Sequence, residues 1–234
     1  MTQLFDEIEK LNSEQKLYFI RTQPISKKIF LKPLEKAQSF LSNKFPKDFH
    51  DFYSTTIDLK LCYMDKSGDW DPNRTISAVC WLEKMFDKFK QHPEPFTEKQ
   101  KDYIKVKASY PCSKWFPSEF KDHKLFNEIS RQKVLIEIEG TTGVISVDFY
   151  TESKNGYVLK YFDARNPESI CEIHLTLPEF LNYYIYFGTF DHWFFAFTKK
   201  GMYTLKNINQ IKQEFGKLNT HKQKIVELEQ RIKP

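Results

Sequence analysis

Glycine is scarce: 7 residues in 234, against 22 Phe, 12 Tyr and 4 Trp. So little glycine excludes collagen-like repeats and flexible Gly-rich linkers, and aromatics at 16% exclude a chain too polar to fold. Cysteine is sparse too. No two of Cys62, Cys80, Cys112 and Cys171 stand at Cys-x-x-Cys spacing, so a zinc site of the usual kind is not expected, and no metal is assigned. No apolar run approaches the roughly 18–20 residues that span a bilayer, and mean hydropathy is −0.59. The opening MTQLFDEIEK has acids where a secretory leader carries Lys or Arg, and no apolar stretch follows. A cytoplasmic protein without disulfides and without membrane contact is the expectation. Glycine-rich phosphate loops, the Gly-x-Ser-x-Gly elbow and His-Glu-x-x-His are all missing from the sequence, so nucleotide-loop, hydrolase and zincin readings have no warrant. No cofactor is expected.

What is present is an uneven charge. The net charge is +5, but the residues from Lys199 onward hold nine Lys/Arg and three Glu, leaving 27 bases and 28 acids for the preceding 198. A near-neutral body argues against a nucleic-acid face within the fold. The basic tail reads as a solvated helix.

The periodicities predict an α+β fold. Leu4, Ile8 and Leu11 lie on one helical face, and Asn12 with Gln15 resembles a capping box before Leu17-Tyr18-Phe19-Ile20-Arg21. Pro33 suits the first turn of a helix carrying Leu34, Ala37 and Leu41, and Pro46 opens another with Phe49, Phe52 and Tyr53 inward. Ile57, Leu59, Leu61 and Tyr63 alternate as in a half-buried strand. A turn-rich loop follows at 65–73, then a helical stripe of Ile76, Val79, Leu82, Phe86 and Phe89. Four alternating runs, 134–139, 144–150, 157–163 and 169–175, are separated by turn residues that include Asn155-Gly156, and they predict an antiparallel meander. Thr176, Pro178 and Glu179 form the start signal of a closing helix, and one long helix is expected from Asn207. The predicted core includes Phe49, Phe52, Leu135, Val147, Phe180 and Leu181.

Candidate chemistry is thin. Asp65, Asp69 and Asp71 could offer oxygens to a hard cation, but without EF-hand spacing or its terminal Glu they read as a solvated acidic turn. Asp148, Asp163 and His174 lie on neighbouring predicted strands and could serve acid–base catalysis, although Asp148 alternates with inward residues and could equally face water. Trp70, on a polar loop, either folds back on the core or acts as an interface anchor.

Three segments carry a family resemblance. LEKAQSFLSNKFPKDFHDFYS (34–54) has a Phe45-Pro46 pair and closes on Phe52-Tyr53. VISVDFYTESKNGYVLKYFD (144–163) has Asp148 at a hydrophobic-Asp-hydrophobic step and a Gly156-Tyr157-Val158 hairpin. TLPEFLNYY (176–184) resembles a closing Ser-x-x-Glu-Phe-Leu helix. Together they resemble the SUKH superfamily, the cell-wall-regulator-like group that includes many bacterial immunity proteins. The chain departs from it with Ser54-Thr55-Thr56 in place of a Gly-Gly-like turn.

The resemblance implies an antiparallel sheet of five to six strands flanked by helices. It would occupy residues 1–198 with an insert near 92–128, followed by a basic helical extension, 199–234. It implies a non-enzymatic protein that binds a cognate toxin stoichiometrically and occludes it. The contact surface expected is an exposed sheet face together with Asp65, Asp69, Trp70, Asp71 and Arg74, because Trp and Arg are anchor types and the acids could meet a basic rim. Two alternatives stand beside this reading: a nucleic-acid-binding regulator, and an enzyme of unassigned type.

Overall fold

The alternation seen between 133 and 173 builds a sheet. A computed structural model describes residues 2–14, 18–41, 44–63, 77–86, 124–125, 128–129, 131–137, 143–163, 166–188, 193–198, 205–216 and 218–232. Strands β4 (Lys133–Glu137), β5 (Gly143–Asp148), β6 (Val158–Asp163) and β7 (Asn166–Ile173) pair in sequence order, each antiparallel to the next, as the four runs predict. Three strands precede them: β1 (Tyr18–Pro24), β2 (Thr56–Tyr63) and β3 (Ser77–Val79). A short ladder, Ala78 to Glu137 and Val79 to Ile136, joins this three-stranded part to the four-stranded one. The described residues thus make a seven-stranded meander rather than five to six strands.

Two of the extra strands occupy segments whose periodicity reads as helix. Tyr18–Pro24 pairs with β2 instead of continuing from an Asn12 cap. Asn12 serves the strand: its Nδ2 donates to the Ile20 carbonyl at 2.8 Å, and its Oδ1 accepts from the Ile20 N–H at 3.0 Å. One side chain thereby satisfies a residue on the open edge of the sheet, where another chain could otherwise pair. Within the predicted stripe from Ile76 to Phe89, residues 77–79 are strand, with partners on both sides, and among the described residues the helical part is α4 (Leu82–Phe86).

Helix α1 (Thr2–Glu14) buries Leu4, Ile8 and Leu11 as spaced. Helix α2 (Lys27–Phe40) begins six residues before Pro33, which is buried inside it rather than in its first turn. Helix α3 (Lys47–Tyr53) follows Pro46, and the ring of Phe45 packs on Phe49 at 6.0 Å. Helix α5 (Leu177–Phe187) starts on a complete capping box formed by Thr176 and Glu179. A 3-10 turn (Trp193–Phe197) precedes α6 (Leu205–Phe215) and α7 (Asn219–Ile232). The long helix expected from Asn207 is therefore two. Gly216 donates to the Lys212 carbonyl, against which any Cβ at that position would collide, and the Leu218 N–H returns to Phe215.

One face of the sheet carries the aromatic core. Phe49, Phe52, Leu135, Val147, Phe180 and Leu181 are all fully buried there, as expected. Ile211, Phe215, Ile225 and Leu228 from the basic C-terminal segment join the same cluster, so that segment packs on the body. At β5 and most of β6 the opposite face is closed as well. Every residue of β5 is buried, and Ile129, Val134, Val144 and Phe162 form a second apolar cluster on that side. The expectation of an exposed sheet face fails at β5, because residues just before β4 fold over it. Among the described residues, no helix is long and apolar enough to cross a membrane.

Candidate functional site

The outer face of β5 and β6 holds a cluster of charges that composition could not reveal. Ser146 pairs with Lys160 and Asp148 with Val158, so the pleat puts Ser146, Asp148 and Lys160 on one side, Asp148 diagonal to Lys160. Asp148 is fully buried. It does not face water, the outcome the alternation left open. Lys160 Nζ donates to Asp148 Oδ2 at 3.0 Å and to Glu128 Oε1 at 2.8 Å. Arg131 Nη2 reaches the same Asp148 oxygen at 3.1 Å, and the Thr151 hydroxyl donates to it at 2.6 Å. The other oxygen accepts from the N–H groups of Tyr150 and Thr151, at 2.9 and 3.1 Å. Nearby, the buried Ser146 hydroxyl donates to Gln132 Oε1 at 2.6 Å.

This geometry decides what Asp148 can do. Burial pushes its carboxyl up, but hydrogen bonds from Thr151, Lys160 and the Tyr150 N–H, with the Lys160 charge, outweigh burial and hold it down at about 2. Burial likewise pushes the Lys160 amine down, and its two carboxylate partners raise it above its ordinary value. Two carboxylate oxygens that accept five hydrogen bonds have no lone pair left for a substrate proton. The cluster acts as a latch: Glu128 and Arg131 reach over the sheet and are tied to it by charge, and Gln132 by the Ser146 hydroxyl. The same Asp148 ends β5 early, at 148 rather than 150, by accepting from the Tyr150 and Thr151 N–H groups.

The other two acid–base candidates are not brought to it. Asp163 pairs with Gly143 at the far end of the β5–β6 ladder, about 16 Å along the strand from Asp148. His174 is exposed at the end of β7, two strands from Asp148, about 10 Å across. Asp65, Asp69, Trp70, Asp71 and Arg74 lie outside the described residues, and among the described residues no group of His, Cys, Asp and Glu is placed to hold a metal.

A second polar centre lies on the inner side. The Tyr157 hydroxyl donates to Asp48 Oδ2 at 2.6 Å and accepts from the Leu177 N–H at 2.6 Å. Burial and the Asp48 hydrogen bond raise this phenol well above its ordinary value, so it stays protonated. The Tyr157 ring meets Phe49 edge-on at 4.9 Å. Gly156, at φ +75°, supplies the left-handed turn that delivers Tyr157 to this position. Neither Arg131 nor Glu128 carries a sequence signal for its role. Lys160 does: a Lys at a core-spaced position in Val-Leu-Lys-Tyr-Phe, one register step from an Asp, is legible once the hairpin is drawn.

Comparison with family models, with curated proteins and with solved structures returns no match.

Proposed function

We propose that this chain is a SUKH-like immunity protein that neutralises a cognate bacterial toxin by stoichiometric occlusion, in the cytoplasm of the cell that makes both. One observation carries the reading. The three segments that resemble the family, 34–54, 144–163 and 176–184, meet at a single hydroxyl, that of Tyr157, which joins Asp48 of the first to Leu177 of the third. Residues that define a resemblance along the chain are thus the residues that hold its elements together. The availability of polar groups also favours binding over chemistry. Asp148, the one fully buried carboxylate among the described residues, is consumed by its own latch. Occlusion needs only a complementary surface of about 1,200–2,000 Å² in total. Trp70 and Arg74, with Asp65, Asp69 and Asp71, are proposed as part of it.

Co-expression with the protein encoded by the neighbouring gene tests the reading. Growth is restored, and the two proteins co-purify near one to one. Failure to restore growth against any neighbouring product overturns it. Retained affinity after Trp70→Ala combined with Arg74→Glu moves the surface away from the 65–74 loop while leaving the function in place.

A further inference from the structure

Exposed apolar side chains are not spread evenly over this molecule. Among the described residues the large exposed ones are Ile29 at 53%, Leu31 at 53%, Phe40 at 38%, Tyr150 at 46% and Val226 at 49%. Three of these five lie on α2, and a fourth, Tyr150, donates its hydroxyl to the Phe40 carbonyl at the end of α2 at 3.1 Å. Scattered single exposures are ordinary; a gathering on one flank marks a contact surface, and Ile29 and Phe40 share a flank of α2, with Leu31 across the helix from them. The buried side of α2 is already occupied, by Phe30, Pro33, Leu34 and Ala37 against the core. On its outward side one edge is partly covered, where the Phe40 ring stacks on Phe86 of α4 at 5.9 Å, while Ile29, Lys28 and Lys32 stay exposed.

The charge on that side is predominantly basic, with the exposed Glu35 among the lysines. Helix α2 carries Lys27, Lys28, Lys32 and Lys36 against a single acid, Glu35. Lys27, Lys28 and Lys32 are exposed, and none has an acidic partner among the described residues. Ile29, Lys32, Lys36 and Phe40 follow one another at spacings of 3, 4 and 4, so they form one ridge about 16 Å long that runs on to Tyr150. The ridge is apolar at both ends and basic between them.

We propose that this outward face of α2 is a docking surface for a protein partner with an acidic patch, apolar contacts at Ile29 and Phe40–Tyr150 flanking the lysines. An anionic membrane fits less well. A helix that lies in a bilayer places its apolar side chains at the centre of the buried face and its lysines at the rim, whereas here Lys32 and Lys36 lie between Ile29 and Phe40. The inference rests on the immunity reading only for the identity of the partner. It supplies that reading with a surface in place of the sheet face that the Glu128–Arg131 latch closes over β5.

A photocrosslinking residue, p-benzoylphenylalanine, at position 29 of the full chain tests it in the cell where the chain is native, with the same residue at position 226 as control. The expected result is an adduct at 29 and not at 226, to a protein of acidic character. Yield should fall about tenfold or more when Lys28→Glu and Lys32→Glu are added, since like charges then face each other. Circular dichroism and the melting temperature should not change with these exposed substitutions. No adduct at 29, equal yields at 29 and 226, a yield indifferent to the charge reversal, or a basic partner overturns the proposal. Sedimentation of the purified chain with phosphatidylserine–phosphatidylcholine vesicles, abolished by the same two substitutions, overturns it in favour of a membrane surface. An adduct to an acidic protein that is not a toxin keeps the docking surface and leaves the growth-rescue result to judge the immunity reading by itself.

Discussion

The two faces of β5 are buried by opposite means. Inward, Ile145 and Val147 meet the aromatic core of α3, α5 and the C-terminal helices, where burial is apolar area removed from water. Outward, Val144 touches a small apolar cluster, while Ser146 and Asp148 are covered by side chains that reach over to form hydrogen bonds and ion pairs. The inner face tolerates apolar exchanges that conserve volume, because dispersion is spread over many contacts. The outer face does not: each of its charges needs a specific partner, and the loss of one leaves another buried without compensation. Alternation of apolar and polar residues therefore does not by itself identify a solvent-facing side.

The largest expected effect is on the inner face. Phe180, fully buried against Tyr184 and Trp193, should cost about 3–5 kcal/mol when cut to Ala, read by urea unfolding with an unchanged m-value. A loss under about 1 kcal/mol would show that α5 does not close the core.

On the outer face, Asp148→Ala should cost about 3 kcal/mol, because Lys160 keeps Glu128 but loses its buried partner. Asp148→Leu combined with Lys160→Met should recover most of that loss. Full additivity of the two single changes would contradict the latch.

Acid separates the two sides. His221 is buried between Phe215, stacked at 5.3 Å, and Tyr186, whose carbonyl accepts from Nε2 at 3.1 Å. Burial, only partly offset by that hydrogen bond, holds the imidazole down at about 4 against an ordinary 6.5. The unfolded chain takes the proton first, so this contribution is intact above 6.5 and about 3 kcal/mol is lost as pH falls to 4. Asp148 has the opposite protonated form but the same direction. Its folded value of about 2 lies below the ordinary 3.8, so its contribution is intact above 3.8 and disappears as pH falls toward 2. Stability should fall in two steps, and His221→Gln should flatten only the first, measured by thermal melts from pH 7 to 2. A first step that survives His221→Gln would assign it elsewhere.

The smallest effect belongs to the element that packing supports most. Thr176→Ala removes the capping box and should cost about 1 kcal/mol in the same melts.

These elements also mark where the sequence could be read and where it could not. The runs that became β4–β7 alternate cleanly, and Thr176-Leu177-Pro178-Glu179 carries its cap chemistry locally, so both were legible. β1 and β3 were not. Asn12 looks like a cap, but its partner is Ile20 on a sheet edge, a contact set by tertiary pairing with β2. Ser77–Val79 is short enough to fit a helical stripe and becomes strand only because β2 and β4 flank it. Pro33 misplaces the start of α2, since the extra turn ahead of it buries Phe30, which outweighs the preference of Pro for a first turn. Asp148 was visible as a step in an apolar run. Its partners were not, because Arg131 lies 17 residues before it and Lys160 12 residues after.

If this protein works by occupying a surface, as proposed, its effect on the partner is stoichiometric, which titration reads. The toxin that the chain is proposed to neutralise is held at fixed concentration well above the dissociation constant, and its residual activity is followed as purified chain is added. Occlusion predicts a straight fall to zero near one equivalent, with the mass of the toxin unchanged. Complete inhibition at a small fraction of an equivalent, accompanied by a chemically altered toxin or product, would contradict it.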